Sequence, residues 1–329
     1  MNVLAIRLAR FGDVVLLLPA LSYLKAHIPE CRLTFVTGQP CVSLAQMCPA
    51  IDEIIPVDRA AMKERPVRQA LAAIGRLVRD VRRRNFDLAI DFHGLRETSL
   101  LAWLSGARQR LGLKRFDQSF LGICFNLPPV LEDKGVHVSE MFLRVAQRFP
   151  PRAPSVSPAL VVPKEARRWA SETLPARPFA ALYVDAPVPE RIWPPERFAA
   201  VAGHIVRHWD AAVVVMAGPG GGTLVEKVLE GAGRADRIHG LSNVTVFQLA
   251  AAIAASDLLI SNDTGPMHLG PALGVRTLGI FSVGFPEHFR PNGIHDRFVR
   301  GNPVENVRVE DVLKVVEEIW PTVRRDLQR

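Results

Sequence analysis

The chain has 329 residues, a formal net charge of +8, 48% hydrophobic and 22% charged residues, which is the make-up of a globular protein long enough for two domains. The first residues do not read as a secretory leader, since Arg7, Arg10 and Asp13 interrupt the apolar run, and no apolar stretch reaches the ~20 residues of a membrane-spanning helix. The four cysteines, Cys31, Cys41, Cys48 and Cys124, show no metal-ligand spacing, so the chain reads as a reduced cytoplasmic protein without structural zinc.

In chain order, short β-branched runs alternate with segments of helical period. Strands are predicted over 2–9, 32–38, 53–58 and 86–92, with helices over 13–27, 40–48, 61–84 and 138–149. Residues 150–167 hold five prolines and read as an extended linker. The alternation then restarts. Strands are predicted over 179–186, 211–218, 236–239, 257–262 and 276–281, with helices over 195–208, 222–231, 246–255 and 266–273, and a final helix over 307–320. This is the pattern of βαβ units and parallel sheets: an α/β chain of two Rossmann-like domains, 1–155 and 168–329, whose strand ends face a central cleft. The C-terminal helix is expected to pack back on the first domain.

Charge is uneven. Residues 1–150 carry 21 basic and 14 acidic side chains, whereas 151–329 carry 20 and 19. The excess points to an anionic partner for the first half. The cluster Arg76, Arg79, Arg82, Arg83 and Arg84 reads equally as a solvated face near a helix C-terminus.

Four stretches can carry chemistry. In "RLARFGDVV" (7–15), Asp13 opens a helix after the first strand; it is an N-cap in the bland reading and a general base in the functional one. "AVVVMAGPGGGTLVEK" (212–227) runs a strand into Gly218, Gly220 and further glycines. It is neither a P-loop nor a good G-x-G-x-x-G, and it reads equally as a phosphate-approaching loop or a ligand-free turn. In "SNDTGPMH" (261–268), Thr264, Gly265 and His268 form an anion site at a helix start, and Asp263 beside them suits neutral sugar hydroxyls. Arg191 in "PERIWPPERF" (189–198) supplies a cation after the first strand of the second half. His93 and Arg96 after the strand at 86–92, and His137 before a helix, read singly as surface structure.

Taken together and in this order, "IRLARFGDVVLLLPAL", "DLAIDFHGLRETSLLAWLSGARQRLG", "ERIWPPERFAAVA" and "SNDTGPMHLGPALGVRTLGIF" resemble the family 9 glycosyltransferases, the heptosyltransferases of lipopolysaccharide inner-core synthesis. The resemblance spans about residues 1–290, and its most specific part is the motif with Asp263, Thr264, Gly265 and His268. It implies a GT-B fold with acceptor on the first domain and nucleotide sugar on the second. It also implies an inverting, metal-independent transfer of heptose from ADP-heptose to a lipopolysaccharide inner-core or related glycolipid acceptor, with no cofactor. By position, Asp13 matches the catalytic base and Arg191 the phosphate contact. Thr264, Gly265 and His268 match the diphosphate turn and Asp263 the acid on sugar hydroxyls, while Gly218 and Gly220 are donor-side candidates in a stretch, "GPGGGT", that departs from the Gly-Ala-Glu-like one of some members. Arg10, His93, Arg96 and His137 fall on the acceptor side. The partners implied are a nucleotide sugar and an anionic glycolipid at the cytoplasmic face of the inner membrane, with peripheral membrane contact and no nucleic acid.

Two departures stand out. The Ser-rich turn of some members is Ala9-Arg10 here, and the acid that contacts ribose in some members has only Glu226 as a candidate. Three alternatives stay open: a transferase of the same fold using another nucleotide sugar, a non-catalytic nucleotide-sugar-binding protein, and an NAD-dependent oxidoreductase. The last is opposed by the broken glycine pattern, and the non-catalytic reading by the joint presence of Asp13 and the 263–268 set.

Overall fold

The computed structural model describes residues 1–64, 66–116, 120–149 and 160–327. The chain divides into two compact units, Met1–Val161 and Val162–Arg329. Residues 150–159 of the expected linker lie outside the described residues.

In the first unit the elements are β1 (Asn2–Arg7), α1 (Phe11–His27), β2 (Arg32–Gly38), α2 (Val42–Gln46), β3 (Glu53–Val57), α3 (Arg59–Glu64), α4 (Val67–Arg83), β4 (Leu88–Asp91), α5 (Arg96–Leu104), β5 (Gln109–Lys114), β6 (Val130–Leu131) and α6 (Val138–Ala146). The strands pair in parallel in the order β3-β2-β1-β4-β5-β6. Val3 to Arg7 are all buried, because helices cover both faces of a parallel sheet and an apolar strand then needs no alternation. Helix α1 is apolar nearly all round, burying Val14 to Leu18, Leu21 and Leu24, and it packs against α6. The predicted helix over 61–84 is instead two pieces, α3 and α4, with Pro66 at the α4 N-cap. Proline cannot donate to the preceding turn and restricts the residue before it.

The second unit comprises α7 (Lys164–Thr173), β7 (Phe179–Tyr183), α8 (Pro195–Trp209), β8 (Ala212–Met216), α9 (Gly222–Gly231), β9 (Ile238–Leu241), α10 (Val246–Ala255), β10 (Leu258–Asn262), α11 (Leu269–Ala272), β11 (Arg276–Phe281), α12 (Pro286–Phe289), β12 (Arg297–Arg300) and α13 (Val309–Leu327). Its order, β12-β11-β10-β7-β8-β9, repeats that of the first unit strand for strand. Both sheets therefore reverse direction between their first and fourth strands: β1 and β4 in one, β7 and β10 in the other. Ligands of such sheets bind outside the carboxyl ends at that reversal.

One expectation is corrected. The linker stops short of 167, because Pro163 is the N-cap of α7 and the helix starts at Lys164; a polar amphipathic stretch after prolines was mistaken for coil. The described part of the C-terminal helix finds its burial within the second unit. Val312, Val316, Ile319 and Trp320 join the core of the second unit with Trp193, Phe198 and Ile205, and Trp320 lies 5.6 Å from the ring of Trp209. Trp320→Ala is expected to cost about 3–5 kcal/mol in the second unit's denaturant transition. A shift confined to the first unit's transition would contradict this placement of α13.

Candidate functional site

At the carboxyl edge of the first sheet, β1 ends in a charge. Arg7 is almost fully buried, and its Nη2 donates to Asp13 Oδ1 at 2.9 Å. Its Nη1 donates to the Phe92 carbonyl at 2.6 Å, and the guanidinium lies 4.4 Å over the ring of Phe142. Burial pushes the Arg7 guanidinium below its usual value while Asp13 opposes the shift; an arginine stays protonated regardless. Asp13 sits in the first turn of α1 with no side-chain cap at Arg10. The bland reading of Asp13 as an N-cap is therefore wrong: its carboxylate is held by Arg7, and its second oxygen has no hydrogen bond among the described residues.

Beside it, β4 ends at Asp91, which is fully buried. One carboxylate oxygen accepts from the backbone N–H of His93 and Gly94, and the other from the hydroxyls of Thr98 and Ser99. Burial still raises its pKa to about 6. Gly94 adopts φ +74, and a Cβ there would run into the Leu113 carbonyl. His93 Nδ1 accepts from Leu8 N–H at 3.0 Å, so its proton sits on Nε2. Burial, then Arg7, Arg59 and Arg115, lower the His93 pKa to about 3, so the ring is neutral at physiological pH. Arg10 and Arg96 are exposed at this edge. His137 caps α6, its Nδ1 accepting from Ser139 N–H at 3.3 Å.

At the carboxyl edge of the second sheet, Asn262 closes β10. Its Oδ1 accepts from Trp193 N–H at 3.1 Å and its Nδ2 donates to the Val184 carbonyl at 2.9 Å. This fully buried amide ties the loop leaving β7 to the end of β10. Arg191, from that loop, meets Asp263, with Nη1 to Oδ2 at 3.1 Å. Asp263 is 5% exposed, and burial raises its pKa against the pull of Arg191. Arg191 Nε is buried without a partner. Thr264 and His268 lie beside the pair, both buried. The helix expected over 266–273 is a 3-10 turn, Gly265–His268, followed by the single turn of α11. An anion here would meet turn N–H groups and side chains rather than a long helix dipole.

The glycine turn has a different explanation. A Cβ at Gly218 would lie 2.9 Å from the Tyr183 hydroxyl and 3.1 Å from Asp185 Oδ2, and Gly218 N–H donates to that same oxygen at 3.2 Å. The turn is small because Asp185 occupies the space. Gly220 has φ +86 and open space around it. Glu226 is engaged by Arg234 at 3.1 Å on the surface.

Sequence reading missed Arg7, Asp91, Asp185 and Asn262. All four are polar residues at or just past the end of an apolar parallel strand flanking a strand-order reversal, and that position was the available signal. Among the described residues no three His, Cys, Asp or Glu side chains converge as a metal-binding group.

Residues 74–314 match the family model of glycosyltransferase family 9 (heptosyltransferase). A putative glycosyltransferase of Haemophilus influenzae is 26% identical, the match covering 93% of this chain and 87% of that protein. The solved E. coli ADP-heptose lps heptosyltransferase II superposes with a TM-score of 0.80 at 18% identity, covering 99% of each chain. An E. coli heptosyltransferase solved with ADP-2-deoxy-2-fluoro heptose has a TM-score of 0.77 at 18% identity, covering 97% of this chain and 99% of that one. The fold is thus that of the GT-B heptosyltransferases.

The buried Asp91 generates a pH prediction. A carboxyl whose folded pKa of about 6 exceeds its unfolded value of 3.8 favours folding when protonated. Its contribution is present below about pH 4 and is lost as pH rises to about 6, a span of about 3 kcal/mol. Asp91→Asn keeps the acceptor for the two N–H groups and offers donors to the two hydroxyls. The stability gap between wild type and Asp91→Asn should therefore move in favour of the variant between pH 4 and pH 7 in urea titrations; a constant gap would show that Asp91 stays ionised throughout.

Proposed function

The chain belongs to glycosyltransferase family 9, and from that premise we propose that it moves a heptose or related sugar, with inversion and without a metal, from a nucleotide-diphosphate donor to a lipopolysaccharide inner-core or related glycolipid acceptor. ADP-heptose is the donor of choice, a reading supported by the structural relative solved with an ADP-linked fluoro-heptose. The observation that carries the reaction type is Asp13, fixed by a buried arginine at the strand-order reversal with one carboxylate oxygen left to work.

In this reading Asp13 accepts the proton of the acceptor hydroxyl as that oxygen bonds to the anomeric carbon. The bond from that carbon to the diphosphate oxygen breaks on the opposite face, which inverts the centre. Arg7 positions Asp13 and keeps its carboxylate from rotating away. The leaving diphosphate gains charge as it departs, and that charge is met by Arg191, the Thr264 hydroxyl, the backbone N–H of Gly265 and His268. The unpartnered Nε of Arg191 supports this, because a buried donor without an acceptor costs free energy that a phosphate oxygen would recover. Asp263 is already engaged with Arg191. Its role is thus first to aim that guanidinium and only second to meet a sugar hydroxyl. Neutral His93 offers its Nε2–H to the acceptor, with Arg10 and Arg96 available to acceptor phosphates. No nucleic acid and no cofactor enter this reaction.

Two outcomes test the reading. Asp13→Asn should lower kcat by about 10²–10⁴ at a temperature where the variant stays folded, with donor affinity little changed and a lower melting point because the buried Arg7 loses its counter-charge, and near-wild-type turnover would remove Asp13 as the base. Thermal-shift titrations with ADP-, UDP- and GDP-sugars should single out one nucleotide, ADP in this proposal, by selective stabilisation; selective stabilisation by UDP- or GDP-sugar would reassign the donor.

A further inference from the structure

Helix α4 leaves its job half done. Its C-terminal half buries Val81 and packs Leu77 and Val78 on the core of the first unit. Its N-terminal half exposes apolar side chains on the continuation of the same stripe: Val67 is 74% exposed, Leu71 62% and Ile74 45%. Val67, Leu71, Ile74 and Val78 fall at i, i+4, i+7 and i+11, one side of a helix. On the neighbouring helix α5, which contacts α4, Leu100 is 43% and Trp103 52% exposed.

The outer side of α4 is basic. Arg68, Arg76, Arg79, Arg82 and Arg83 are all exposed, and among the described residues none forms an ion pair, whereas Asp80 is engaged by Arg84. At 100° per residue, Arg68, Arg79 and Arg82 border the exposed apolar stripe. An apolar stripe flanked by unpaired arginines, with a tryptophan beside it, suits a surface that is apolar below and anionic above.

The location matters as much as the composition. The end of α4 is anchored at the amino edge of the sheet, where the Arg84 carbonyl meets the side chain of Asn2. The helix runs antiparallel to the strands of this parallel sheet, so Val67 and Leu71 lie toward the carboxyl edge. That edge also carries Arg10, Asp13 and Arg96. Arg59, which opens α3, ties the same corner by donating to the Leu8 carbonyl at 3.3 Å and pairing with Glu97 of α5 at 3.3 Å.

We propose that the N-terminal half of α4, with the exposed side of α5, is a docking surface for an anionic lipid bilayer, and that it brings glycolipid head groups to the edge that carries Asp13. The inference rests on the glycolipid reading of the acceptor. Charge complementarity selects the occupant: Arg68, Arg79 and Arg82, which border the stripe and form no ion pair among the described residues, oppose association with a second identical basic surface and favour anionic head groups.

The test is vesicle flotation of the full chain with phosphatidylcholine vesicles and with mixed phosphatidylcholine–phosphatidylglycerol vesicles. Binding should require the anionic lipid and weaken with salt. Val67→Asp/Leu71→Asp and, separately, Arg79→Gln/Arg82→Gln should each reduce it roughly tenfold or more, while turnover on a deacylated, water-soluble acceptor stays at the wild-type level. The arginine pair is fully on the surface, so it carries the test if the aspartate pair lowers the melting point. Equal binding to neutral and mixed vesicles, no binding, or variants that bind like wild type would overturn the proposal. So would sedimentation showing a dimer that Val67→Asp/Leu71→Asp dissociates, which would make the patch a self-interface. Failure of wild type on the soluble acceptor would instead count against the transfer reading, leaving the docking result to stand on its own.

Discussion

The side-chain amide of Asn262 holds the candidate donor end together. It is fully buried, and it satisfies one backbone donor and one backbone acceptor, Trp193 N–H and the Val184 carbonyl. A buried amide with both ends engaged is a high-stakes contact: replaced by an apolar side chain, it would leave two backbone groups unpaired at about 1–3 kcal/mol each. More depends on it than stability. Asp185, Glu190 and Arg191 all lie on the loop it clamps. Trp193 follows directly and anchors the same loop in the core through Nε1 to the Val307 carbonyl at 2.9 Å. Ser282 adds a third tie, donating to the Glu190 carbonyl at 2.6 Å. Arg191 therefore reaches Asp263 from a loop fixed on three sides.

The first unit solves the equivalent problem with charge. Arg7 terminates β1 in the interior, where an unpaired guanidinium would be costly. It is offset by Asp13, by the Phe92 carbonyl and by the face of Phe142. The consequence is directional. The guanidinium holds one oxygen of Asp13 and leaves the other available, which is how a carboxylate is presented to a hydroxyl in a fixed orientation. Asp91 and His93 stiffen the adjacent turn, one as a four-fold acceptor and the other as a neutral acceptor for Leu8 N–H. Each edge thus keeps a carboxylate against an arginine, but the exposures differ. Asp13 remains 27% exposed at its side chain and Asp263 only 7%, which fits a working base in one case and a positioning acid in the other.

The alternation of apolar runs made the two parallel sheets legible, because strands covered on both faces must be continuously apolar, as in Ala212–Met216. It did not reveal β5, whose sequence QRLGLK mixes polar residues with only two leucines, nor β6 or β12. Val130–Leu131 is only two residues long, and Arg297–Arg300 carries arginine at both ends; both are edge strands whose pairing, not their composition, makes them strands. The motif at 261–268 was found, yet the partnership of Asp263 with Arg191 was not. A residue distance of 72 leaves no trace in local spacing. The glycines at 218–222 left two readings open for the opposite reason. Small residues signal close approach of something, and only the structure shows that Asp185 and Tyr183 are what approaches Gly218. The exposed stripe of α4 was visible as a basic cluster, but its uncovered apolar flank depends on where the sheet ends.

In the proposed reaction the leaving diphosphate is held by the turn after β10 and not by the glycine turn after β8. A crystal structure of the chain with ADP tests it most directly. Phosphate oxygens are expected within hydrogen-bond distance of the Thr264 hydroxyl, the Gly265 N–H and Arg191, with Nε of Arg191 acquiring its missing partner. Phosphates seated instead on Gly218–Gly222, with Arg191 Nε still unpaired, would contradict it.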